Sequence, residues 1–129
     1  MENNAKDTKY ELYYDSAIEC VILHVNGTVN LDRIRIIAPE VARLCEEKGC
    51  RRLLNDMSKA NIHISVLDAY NSPRIMAESG ISQVIKRALV LPPSFKESEF
   101  LITVTHNRGH DIMAFTDIQK AKEWLLSDR

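Results

Sequence analysis

The run AIECVILHVNG, residues 17–27, restricts the fold more than any other stretch. Val21, Leu23 and Val25 face one side of an extended chain, and Ile18, Cys20 and Ile22 face the other. A strand with one wet face alternates apolar with polar residues. One that is apolar on both faces must be covered on both, as the central strands of a parallel sheet are. The preceding YELYYD does alternate, with Tyr10, Leu12 and Tyr14 on one side, and Asp15 and Ser16 stand at the junction. Together the two runs predict an antiparallel hairpin whose first strand lies on a sheet edge.

The remaining chain supplies elements to cover that strand. Asn30 is a helix cap, followed by Leu31, Ile34, Ala38, Val41 and Cys45 at helical spacing, with Gly49 as the stop. Pro39 falls inside this pattern and predicts a bend or a displaced hydrogen bond. CRRLLND is the next strand, with Asp56 at its exit. A helix over Ser65–Gly80 then carries Val66, Ala69, Tyr70, Pro73, Met76 and Ala77 on one stripe. VIKRALVLPP is a fourth strand. Ser94 with Glu97 reads as a capping box opening a helix that ends at Gly109. HDIMAF is a fifth strand, and Thr116 with Gln119 a further capping box before a stripe of Ile118, Ala121, Trp124 and Leu125. The predicted class is α/β, a five-stranded mixed sheet with about four helices in the order ββαβαβαβα. Residues 1–8 are expected as a flexible N-terminal tail and 9–129 as a single domain.

Composition narrows the function classes. Formal net charge is −1, from 17 basic and 18 acidic residues, which gives no basic surplus for a nucleic acid. No apolar run is long enough for stable membrane insertion, and the polar start MENNAKDTKY lacks a secretory core. Three irregularly spaced cysteines read as reduced thiols, so the expected location is cytoplasmic. Cys45 and Cys50 read as small packing residues.

Chemistry-bearing patterns are sparse. The four glycines, 27, 49, 80 and 109, are too scattered to form a phosphate loop. His106 and His110 are four apart, but Gly109 separates them and no metal site is expected. His24 reads as a hydrogen-bonded core residue. No serine sits in a nucleophile elbow, and an enzyme would need Asp56, Arg108 and His110, with Arg74, to meet at one rim. No cofactor is expected.

The stretch RRLLNDMSKANIHIS resembles the STAS family, the fold of anti-sigma-factor antagonists. Asp56, Met57 and Ser58 match that family's Asp-Leu-Ser-like turn, and Ser65 falls at or near its phosphorylated serine. Ile64, Val66 and Leu67 depart from the pattern, which has aspartate before the serine and small residues after it. KRALVLPPSFKESEF and THNRGHDIMAFTDIQKAKEWL are similar to the SpoIIAA-like (STAS/SEC14-type) subgroup. Phe115, Asp117, Ala121, Trp124 and Leu125 match its ending. The resemblance implies a non-enzymatic regulatory module that offers Ser65, Ser58 and Asp56 to an unknown protein partner. Ser65 with Asp68 also makes sound helix-start chemistry without a kinase, and the cap is the favoured reading. Pairing with a second copy fits a domain of this class. The SEC14-type grouping implies an alternative, a small apolar, lipid-like ligand lined by Phe95, Phe100 and Leu101.

Overall fold

The computed structural model describes residues 7–127. Five strands form one sheet in the order β1 (Lys9–Asp15), β2 (Cys20–Val29), β3 (Arg52–Ile62), β4 (Lys86–Val90) and β5 (Asp111–Phe115). β1 runs antiparallel to β2, and every other pair is parallel. Four helices connect or follow the strands: α1 (Leu31–Lys48), α2 (Val66–Glu78), α3 (Ser98–Asn107) and α4 (Ile118–Leu126). The architecture is the α/β class expected from the sequence. No helix among the described residues is long and apolar enough to cross a membrane.

The two-faced apolar run behaves as its pattern dictates. Val21, Leu23 and Val25 enter a core with Ile37, Val41 and Cys45 of α1, Ala69 of α2 and Phe95. Cys20 and Ile22 enter a second core with Leu54, Ala88, Val90 and Ala121 and Leu125 of α4. α1, α2 and α3 therefore cover one face of the sheet and α4 the other.

Several local expectations change. Residues 1–6 of the expected tail lie outside the described residues. Asp7 and Thr8 are bonded to β2: Thr8 Oγ1 donates to the Thr28 carbonyl at 2.5 Å, and Thr28 Oγ1 donates to Asp7 Oδ2 at 3.0 Å. α1 runs through Pro39, whose ring nitrogen has no N–H to give the helix, so one intrahelical bond is absent there as expected. β3 runs on to Ile62 because β2 also continues, so Lys59–Ile62 keep a partner in Asn26–Val29. The buried face of α2 is Ala69, Ser72, Pro73 and Ile75, leaving Val66, Tyr70 and Ala77 outside. Ser94 caps nothing: residues 92–95 close a turn, with Phe95 N–H donating to the Pro92 carbonyl, and α3 starts only at Ser98. Asp117, rather than Thr116, caps α4 by accepting from Gln119 N–H at 2.8 Å.

Gly27 fixes how the start of the described chain lies on β2. Its φ is +85°, and a Cβ there would stand 2.3 Å from the Asp7 carbonyl oxygen. Gly27→Ala is expected to lower stability by about 1–3 kcal/mol, since it adds left-handed strain and a backbone clash. Urea denaturation of the two proteins checks this.

Candidate functional site

Three places hold the residues from which function can be argued. The first is the start of α2. Ser65 is its N-cap, exposed, with its hydroxyl accepting from Asp68 N–H at 3.1 Å. The Asp68 carboxylate returns the bond by accepting from Ser65 N–H at 3.2 Å. Both halves of a capping box are present, so two otherwise free backbone donors are satisfied. Immediately beyond, Val66, Leu67 and Tyr70 are 55%, 68% and 52% exposed. The Arg108 guanidinium stands 5.5 Å from the Tyr70 ring centroid.

The second is a polar chain across β1, β2 and β3. Between His24–Asp56 and Asn26–Lys59 the ladder holds one residue on β2 (Val25) and two on β3 (Met57, Ser58), a β-bulge. The segment expected as a strand-ending turn is therefore an irregularity inside a longer strand. Ser58 N–H and Oγ both donate to Asp56 Oδ1, at 3.1 and 2.8 Å. The other carboxylate oxygen accepts from His24 Nδ1 at 3.0 Å. A carboxylate only accepts, so Nδ1 carries the proton, and in the neutral ring Nε2 accepts from Tyr13 Oη at 3.3 Å. Burial alone would raise the Asp56 carboxyl. The two Ser58 bonds and the His24 bond outweigh it and hold the group below its ordinary 3.8. His24 was expected in the core; its side chain is 33% exposed because α4 packs on β3, β4 and β5 and leaves this end of the face open.

The third is an apolar cavity of about 100 Å³ between the sheet and the helices α1, α2 and α3. Phe95 and Leu101 line it; Phe100, 38% exposed, does not. A wider cleft of about 770 Å³ opens at the ends of β4 and β5, bordered by Pro92, Pro93, Phe115 and Lys120. Neither of these two spaces is lined by His24 or Asp56.

The rim that an enzyme would need does not assemble. Asp56 shares a cross-strand row with Val90 and Phe115, whereas His110 precedes β5. At about 3.3 Å per residue, His110 is roughly 16 Å down that strand from Phe115. His106 Nε2 lies 2.5 Å from the Ile112 carbonyl oxygen while His110 is buried, and no cluster of three metal-ligating side chains occurs among the described residues. Cys20 and Cys45 are buried thiols pushed up to about 11 by desolvation, the opposite of an activated nucleophile.

Sequence reasoning missed the His24–Asp56 pair and the buried Arg87. The cross-strand register joins the first. The second carries only the signal of a basic residue in an apolar strand. Comparison with protein-family models and with curated proteins found no match.

The lowered Asp56 carboxyl gives a signed pH dependence. Its stabilising contribution is complete above the unfolded-state value near 3.8 and is lost as pH falls through the lower folded value. Asp56→Asn should cost about 1 kcal/mol at pH 7. That difference should shrink toward pH 2, as read from urea midpoints at the two pH values.

Proposed function

We propose that this chain is a cytoplasmic, non-enzymatic regulatory or protein-interaction module of the STAS, SpoIIAA-like type, acting through the start of α2. The carrying observation is the exposure of Val66, Leu67 and Tyr70 within one and a half turns of the Ser65 cap. Grouped exposed apolar side chains rimmed by polar ones mark interaction sites. Here Ser65, Asp68 and Arg108 supply the polar rim. The resemblance carried by RRLLNDMSKANIHIS sets a phosphorylated serine at or near Ser65. A phosphate on this exposed hydroxyl would sit at a helix N-terminus, which favours negative charge, and would alter the patch beside it. Ser58 and Asp56, bonded to each other on the α4 side of the sheet, would offer a partner a second, separate polar contact. A second copy of the chain is one candidate partner.

A second reading, binding of a small apolar ligand, is favoured by the cavity against Phe95 and Leu101. At about 100 Å³ it is smaller than the roughly 150 Å³ engineered cavities that hold benzene. The ligand on this reading is compact rather than a full acyl chain.

The interaction reading is tested by capturing partners from the source cell with wild type, Leu67→Glu, Ser65→Asp and Ser65→Ala. Leu67→Glu should reduce specific capture at least tenfold without loss of stability. Ser65→Asp should change the captured set. Ser65→Ala should cost about 1 kcal/mol in stability as a lost cap. Identical partner sets for all four proteins would refute the surface.

A further inference from the structure

Arg87 is the second residue of β4, between Leu53 of β3 and Ile112 of β5, and its side chain reaches the cavity on the three-helix face. The residue is 5% exposed, and its Nε and Nη2 have no hydrogen-bond partner. Burial lowers the group to about 10, so it remains a cation at neutral pH. No aspartate or glutamate is among the residues lining the cavity. A buried charge without a counter-charge costs several kcal/mol, and proteins rarely keep one without a reason.

The other polar groups of the cavity do not supply the missing charge. Ser72 and Thr105 hydroxyls already donate to backbone carbonyls, at 2.9 and 2.7 Å. Asn55 Oδ1 is buried and unpartnered, as is Nδ1 of His110, a buried residue whose protonation is opposed by desolvation and by the nearby Arg87 charge. Water could accept from the guanidinium but would leave its charge uncompensated. A carboxylate does both, because its two oxygens match the guanidinium fork. The remaining wall is apolar and largely aliphatic, from Val25, Val41, Leu89 and Leu101 with Phe95, so the rest of the ligand is apolar.

We infer that the cavity is a binding site for a short-chain monocarboxylate, held by Arg87 at its carboxylate and by the aliphatic wall along its tail. This rests on the small-ligand reading of the cavity and adds the ligand's charge and size. A protonated hydroxyl or amide on the ligand could also donate to Asn55 Oδ1. At about 100 Å³ the space is smaller than a benzene-binding cavity, so it suits about two to four carbons and excludes a long acyl chain.

Butyrate, butanol and inorganic phosphate are titrated into the full chain by calorimetry at pH 7, with wild type, Arg87→Met and Arg87→Lys. Wild type is expected to bind butyrate at least tenfold more tightly than butanol and not to bind phosphate. Arg87→Met should lose that preference while unfolding at an equal or higher temperature when empty, because the uncompensated charge is gone. Arg87→Lys keeps the charge but loses the fork and should retain partial preference for the acid; it decides the matter if Arg87→Met does not fold. Equal binding of butanol and butyrate to wild type would overturn the carboxylate assignment and leave the small-ligand reading standing. Absence of binding by both overturns both. Phosphate binding as tight as butyrate overturns the apolar tail.

Discussion

The parallel pairing of β2 with β3 is the constraint on which the other features depend. β2 is apolar on two faces in its first half, and β3 sends Leu53 to one core and Leu54 to the other, so both strands are stable only where helices lie above and below. Beyond His24 and Asp56 the ladder takes up an extra residue on β3 and continues to Val29 and Ile62. β4 stops at Val90, opposite Asp56, so this continuation has β2 as its parallel neighbour. The bulge thus falls where a four-strand parallel sheet gives way to a narrower extension. There the Asp56 carboxylate is drawn to Ser58 on its own strand and to His24 on the next.

Lys86 and Arg87 are adjacent, and the pleat sends them to opposite faces. Under α4, Lys86 Nζ donates to the Trp124 carbonyl at 2.7 Å and to Ser127 Oγ at 3.1 Å, and it stands 4.5 Å from the Trp124 ring centroid. A cation at a helix C-terminus meets the negative end of the helix dipole and the last free carbonyls. Arg87 has no such helix end, and two of its nitrogens stay unmatched. One buried cation fastens an element; its neighbour leaves a site that is electrostatically incomplete.

The candidate sites were legible to different degrees. Ser65 with Asp68 could be read directly, because a capping box is contained within four residues of sequence. The same pattern misled at Ser94, where the Pro92–Phe95 turn held the chain out of the helix. The stripe assigned to α2 was rotated, so that Tyr70 and Val66 lie outside and Ser72 inside. Helical periodicity gives relative angles, and the neighbouring α1 and α3 decide which side is covered. The SEC14-type grouping put Phe100 on a ligand wall with Phe95 and Leu101, but of the three only Phe95 and Leu101 reach the cavity.

The sequence by itself determined the class and order of elements, because hydrophobic period, caps and stops act over a few residues. It also marked β2 as central, since a run apolar on both sides has nowhere else to go. Tertiary structure alone decided the length of β3, the His24–Asp56 contact and the burial of Arg87 beside a cavity without acids. Those depend on register between strands and on which helix covers which face. The distances concerned span residues far apart in the chain, where local pattern carries no information.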